Sequence, residues 1–167
     1  AVANYLQENN VPVVSAESLL LQNKLAVKLL IAALEYILHN TEDFYAVKLN
    51  YLYAQFLNME NIETYLTKQN NNQYFFVESM PFFNKENVIQ LSSVAMNELI
   101  FLLVKEFKLD AQMDNYILRF QDVVLQHSQK ATNAIADFLD FWNEKKHTIS
   151  ILPPDGIDAV KIYTIHK

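Results

Sequence analysis

Apolar side chains recur at helical spacing through most of this chain. Over 24–39, Leu25, Leu29, Ala32, Ala33, Tyr36 and Ile37 share one face, and Leu30, Ile31 and Leu34 widen it beyond one stripe. So broad a face predicts a helix covered on more than one side. From Thr41 the pattern becomes helix after helix. Thr41, Glu42 and Asp43 offer a cap and acidic charge for a helix start, with Phe44, Val47, Tyr51, Leu52 and Phe56 as the expected apolar positions. A further run extends from Asn58 to about Gln69. Asn84 is a cap candidate for a short turn. Ser92 or Ser93 is the expected cap of a helix bearing Met96, Leu99, Ile100, Leu103 and Phe107. From Asp114, the residues Tyr116, Ile117, Phe120, Val123, Val124 and His127 have the spacing of a one-sided amphipathic helix. Thr132 is the expected cap of another, carrying Ile135, Phe138, Leu139 and Trp142. Lys145-Lys146-His147 would close that helix on the negative end of its dipole.

The ends read differently. Residues 1–9 look like the tail of a helix. Val11-Pro12-Val13-Val14-Ser15 is a β-branched run, with Pro placing it early in a strand or at an edge. Ser18 is a cap candidate for the segment after it. Pro153-Pro154-Asp155-Gly156 is the strongest turn signal, and 159–165 alternates with β-branched Val160, Ile162 and Thr164, a second strand candidate. The architecture is thus a helical middle between strand-bearing ends, with no internal repeat and no low-complexity linker. The least regular stretch is 70–83, with Asn70-Asn71-Asn72, Tyr74-Phe75-Phe76 and Pro81-Phe82-Phe83.

Composition narrows the function classes. The 167 residues amount to about one domain, and 51% hydrophobic content is ample for a core. A single Gly argues against an all-β fold, whose tight turns need positive φ. It also cannot build a phosphate-cradling loop or a dinucleotide fingerprint, so the chain binds no nucleotide by itself. Zero Cys excludes disulfides, thiolate metal sites and cysteine nucleophiles. With no secretory signal in the pattern, a cytoplasmic setting is expected. No apolar run approaches the roughly 20 residues that span a bilayer. The net charge is −6 and Arg119 is the only Arg, so a stand-alone DNA reader is not expected. A domain that touches DNA within a larger machine remains compatible.

Candidate chemistry is sparse. His39, His127, His147 and His166 have no metal-ligand spacing. His39 and His147 fall at expected helix C-termini, where capping is the plain reading, and His127 lies on an apolar face. Glu60 with Glu63, Asp137 with Asp140, and Asp155 with Asp158 are carboxylate pairs. Paired carboxylates can do acid–base work, yet at helical spacing they usually mark a solvated face. Tyr74, Phe75, Phe76, Phe82 and Phe83 could stack on bases, but no Lys or Arg is interleaved. A loop pinned on a helical core is the favoured reading. No catalytic residue, cofactor or metal site is assigned.

Three stretches carry a resemblance. Asp158-Ala159-Val160-Lys161-Ile162-Tyr163-Thr164-Ile165-His166-Lys167 resembles motif V of superfamily 1 DNA helicases of the UvrD/Rep kind, a strand leading into Thr-x-His-Lys. Residues 4–15, with Glu17-Ser18-Leu19-Leu20-Leu21, are similar to the segment before the accessory insertion of that family. Ala26-Val27-Lys28-Leu29-Leu30 and Asn40-Thr41-Glu42-Asp43-Phe44 keep the family order. Residues 135–146 are similar to the Phe-Leu-x-Trp-Trp-like helix before motif V in the AddA/RecB-like helicase–nuclease branch, departing from it at Phe141.

The resemblance implies a mainly α fold: a multi-helix accessory domain with a small parallel α/β remnant formed by the two chain ends. It divides the chain into 1–40, a piece of the second RecA-like domain; 41–148, the helical accessory insertion; and 149–167, a strand returning to the RecA-like domain. It implies a non-catalytic fragment of an ATP-dependent DNA helicase of repair or recombination. ATP and Mg belong to the parent. Thr164, His166 and Lys167 would contact DNA as motif V, with Lys145 and Lys146 as weaker contacts. Partners would be DNA, the rest of the parent and a helicase–nuclease subunit, with no membrane. The segments 11–15 and 160–164 are then expected in one layer, roughly parallel, beneath the helix over 24–39. A helical adaptor for protein partners, with no DNA role, fits the same acidic charge and aromatic loop.

Overall fold

A computed structural model describes residues 13–15, 19–62, 80–112, 114–130, 134–151 and 160–162. The fold is mainly α. Among the described residues are six α-helices: α1 (Leu25–Leu38), α2 (Asp43–Phe56), α3 (Lys85–Leu91), α4 (Met96–Glu106), α5 (Asn115–Ser128) and α6 (Ile135–Lys145). Two short strands flank them, β1 (Val13–Ser15) and β2 (Val160–Ile162). None of the described helices is long and apolar enough to cross a membrane.

Helix α1 is the centre of the molecule. It packs against α2, α3, α4, α5 and α6. This helical jacket accounts for its broad apolar face. Ala26, Ala32 and Ala33 are buried on α1, as are Ala46 and Ala54 on α2. Such small side chains let two helix axes approach closely. One core cluster runs from Leu21 to Ile151, so α1 shares its packing with all the later helices.

Helix α2 is rotated from part of the expected face: Leu52 and Phe56 pack partly buried against the core, but Phe44, Val47 and Tyr51 do not. Its sequence carries two apolar stripes. Ala46, Leu49 and Ala54 turn inward with Asn50, whose side-chain amide donates to the Ala46 carbonyl at 2.8 Å. Phe44, Val47 and Tyr51 stay exposed, Phe44 at 68%. The small stripe wins because it fits closely against α1, which the bulky stripe does not. Glu42 occupies the cap position without a side-chain bond, so Thr41 is not the cap, while Asp43 sits in the first turn as expected.

Later helices keep their expected faces and revise some caps. Ile117, Phe120, Val123 and Val124 of α5 are buried, as are Ile135, Phe138, Leu139 and Trp142 of α6. Asp114 caps α5 by accepting from the amides of Tyr116 and Ile117, and Asn84 caps α3 by accepting from the Asn87 amide at 2.8 Å. Ser92 closes α3, its hydroxyl donating to the Ile89 carbonyl, and does not open α4, whose cap position is Ala95. The cap position of α6 is Ala134 rather than Thr132, with no side-chain bond. Residues 1–9, Ser18, 63–79, Thr132 and the turn at 153–156 lie outside the described residues.

The two ends of the helical unit meet. The Leu21 amide donates to the Ile149 carbonyl and the Ile151 amide to the Leu19 carbonyl, each at 3.0 Å. These bonds frame an antiparallel bridge between Leu20 and Ser150. Farther out, β1 and β2 pair in parallel, with Val13, Val14 and Ser15 opposite Val160, Lys161 and Ile162.

Candidate functional site

Of the residues singled out in the sequence, Thr164, His166 and Lys167 lie outside the described residues. Lys145 and Lys146 end α6, and the structure gives them different surroundings. Lys145 pairs with Glu144 at 2.9 Å, and both side chains are more than half exposed. Lys146 occupies the C-cap position, donates to the Asn143 side-chain oxygen at 2.9 Å, and lines a cavity.

That cavity, of about 250 Å³, forms where α1, α2 and α6 converge. Helix α1 contributes Lys28, Ile31 and Glu35, spaced i, i+3, i+7 and hence on one face. Helix α2 adds Lys48 and Leu52 at i, i+4. Helix α6 adds Trp142, Asn143 and Lys146, and Gln22 stands at the turn before α1. Ile31, Leu52 and Trp142 make the lining partly apolar, Trp142 being only 3% exposed. Lys48 donates to Glu35, tying α2 to α1 across the cavity wall. Gln22 Nε2 lies 3.2 Å from His147 Nδ1, joining the start of the helical unit to its end.

Three ammonium groups and one carboxylate thus share a small concave space. Among the described residues, three positive charges against one leave a local excess of two in a chain whose net charge is −6. Lys28 has no carboxylate partner among the described residues. The sequence reading found only Lys146 of this group. The missed signal is in α1: Lys28 and Glu35 are its only charged residues, seven apart, and they align on one face of an otherwise uncharged helix.

The remaining candidates have local roles. The His39 ring stacks on Tyr45 with centroids 4.5 Å apart, and its Nδ1 lies 3.5 Å from Glu42. His127 packs against Phe138 and Phe141. Asp137 and Asp140 are both exposed, as a solvated face requires. Phe83 is buried against Tyr36 and Phe107, so this part of the aromatic loop is pinned to the core; Tyr74, Phe75 and Phe76 lie outside the described residues. The Tyr53 phenol is raised above its ordinary pKa, by burial first and by the Glu106 charge second.

A second concavity, of about 380 Å³, lies along α4 and α5, with Ile100, Phe101, Val124 and Leu125 in its walls. Phe101 and Leu125 are exposed there, and the Lys105 ammonium sits 4.4 Å from the Phe101 ring centre. Among known proteins, the chain matches no family model, no curated protein and no solved structure.

Proposed function

We propose that this chain is a non-catalytic helical accessory segment of an ATP-dependent DNA helicase of the UvrD/Rep kind, in the AddA/RecB-like branch. The observation that supports it is the meeting of the two ends. The helical unit starts and finishes at hydrogen-bonded neighbours, Leu19–Leu21 with Ile149–Ile151, and beyond them β1 and β2 run parallel. An insertion must leave and rejoin its host at adjacent points, because the host folds as one compact unit. Parallel pairing is what strands joined by helical crossovers adopt.

In this reading the parent works in the cytoplasm and supplies ATP, Mg and the machinery that hydrolyses it. Thr164, His166 and Lys167 belong to the element that touches the DNA strand, with Lys145 and Lys146 as weaker contacts. A helicase–nuclease subunit is a further partner. Fluorescence anisotropy with labelled oligothymidylate tests the DNA contact. The isolated chain should bind weakly, without sequence preference, and lose binding steeply with salt as counterion release predicts. Lys145→Glu should weaken it further. Nanomolar affinity at physiological salt, or no binding at low salt, overturns the DNA-contacting role.

The adaptor reading has its own support. Phe44, Val47 and Tyr51 form an exposed apolar stripe on α2, and Phe101 and Leu125 flank the groove along α4 and α5. Patches of this kind mark protein interfaces. Under that reading oligothymidylate does not bind at any salt concentration.

A further inference from the structure

We infer that the cavity between α1, α2 and α6 is a binding site for a small phosphate monoester, held by Lys28, Lys48 and Lys146 beside an apolar wall. The inference stands on the cavity alone and does not rest on the helicase reading. Charge is the first argument. The surplus of two positive charges around this cavity matches a phosphate monoester, which carries about −1.5 to −2 at pH 7. A carboxylate ligand would leave about one of those charges without a counterpart. Lysine ammonium groups act as compact point charges that suit phosphate oxygens.

Size and shape are the second argument. About 250 Å³ falls just under the roughly 300–1,000 Å³ of pockets for drug-sized ligands, so the ligand is a small ester rather than a nucleoside triphosphate. Ile31, Leu52 and Trp142 offer contact to a compact apolar body, and the Gln22 and Asn143 amides stand at the same wall as further polar groups. A nucleic acid strand is a poorer fit, because strand binders track the backbone along an extended basic groove. Here the cationic group is confined to one concavity of an acidic chain.

Local structure supports a prepared site. The Lys48–Glu35 pair fixes one ammonium on the wall, while Lys28 keeps its charge unpaired among the described residues. The positive character persists because, among the described residues, Glu35 is the only carboxylate lining the cavity.

Phenyl phosphate, inorganic phosphate and benzoate, titrated separately into the intact chain, test the proposal. Trp142 is the chain's only Trp and lines the cavity, so its fluorescence reads occupancy directly, with calorimetry giving stoichiometry. Phenyl phosphate should bind saturably at one site, more tightly than benzoate. Lys28→Gln and Lys48→Gln should each weaken it about tenfold, the loss expected for one charge-assisted hydrogen bond. Lys28→Arg should retain binding, and Lys130→Gln, at an exposed position outside the cavity, should not change it. Unchanged melting temperatures of Lys28→Gln and Lys130→Gln confirm that the fold persists. Three results overturn the proposal: no saturable binding of either phosphate, equal affinity for benzoate, or affinity unaffected by Lys28→Gln. A fourth is displacement of phenyl phosphate by unphosphorylated oligothymidylate through the same lysines, which would assign the cavity to a strand.

Discussion

Phe120 joins two helices through one side chain. It is fully buried on α5, and its ring meets Phe138 and Trp142 of α6 edge-on, with centroids 5.9 and 5.4 Å apart. Replacing it with Ala removes the transfer energy and leaves a cavity between α5 and α6. Phe120→Ala should cost about 3–5 kcal/mol in urea denaturation. Phe44→Ala, on the exposed stripe of α2, should stay within about 0.5 kcal/mol. A loss that small at Phe120 would mean its face is not core. Both residues are large and apolar at helical spacing, so composition alone does not separate them. Phe120 was legible because its helix has one apolar face, whereas Phe44 was misassigned because its helix has two. Tyr53 illustrates a residue effect no pattern reveals. Burial, then the Glu106 charge, raises its phenol above the ordinary value of about 10. The folded state therefore favours the proton. Its contribution to stability is complete below about pH 10 and fades as pH rises through the higher folded value. The alkaline loss of stability should be smaller in Tyr53→Phe than in wild type, measured as the difference between the two so that lysine titration cancels.

At the scale of elements, existence and facing were more legible than starts and stops. The helices over 24–39 and from Asp114 follow from their apolar spacing, and α1 spans Leu25–Leu38 with its neighbours on several sides. Caps were harder. Ser92, Thr41 and Thr132 have the right chemistry, yet the chain places Ala95, Glu42 and Ala134 at the cap positions. Tertiary packing sets where a helix must begin, and a capping side chain adds only about 1 kcal/mol to that decision. Stops were obscured by composition. With a single Gly available, left-handed residues after helices are filled by other side chains: Asn58 at φ 52° after α2 and Lys108 at φ 54° after α4. Asn tolerates this region, whereas Lys carries a steric cost that Gly avoids. Lys108→Gly should therefore stabilise the protein by about 0.5–1 kcal/mol, the relief exceeding the added flexibility of the unfolded chain. Lys108→Ala keeps the Cβ and should give no gain. If both variants lose stability in thermal or urea unfolding, the left-handed turn is not strained. The cavity lysines belong to this scale too. Lys28, Lys48 and Lys146 lie on three helices far apart in sequence, and only the convergence of α1, α2 and α6 brings them together.

For the whole molecule, the decisive geometry is that a helical unit reaching from Leu21 to Ile151 is closed at its base by its own ends. The sequence marked both end segments as strands from their β-branched residues, but their register depends on contacts between opposite ends of the chain. Such pairing costs loop-closure entropy that local propensity does not repay. It is stable here because the helices between have already brought residues 20 and 150 together. A covalent link across the strand pair tests this arrangement. Val14 and Lys161 are Cα partners in the parallel register, and neighbouring strands lie about 4.8 Å apart, within the span a disulfide bridges. The chain has no native Cys to compete. The double variant Val14→Cys, Lys161→Cys should oxidise to a single intramolecular bond, detected as faster migration without reductant. Because the bond encloses nearly the whole chain, it restricts the unfolded state strongly. The chain-entropy account gives about 4.7 kcal/mol for a 100-residue loop, and strain in the folded state lowers the gain realised. A clear rise in melting temperature that reductant abolishes is the expected result. The shifted pair Val14→Cys, Ile162→Cys should oxidise more slowly, since it breaks the register. Equal oxidation of both pairs would mean the strands are not fixed in parallel register. Failure of both to form an intramolecular bond would count against the strand pairing and leave the insertion reading resting on the Leu20–Ser150 bridge alone.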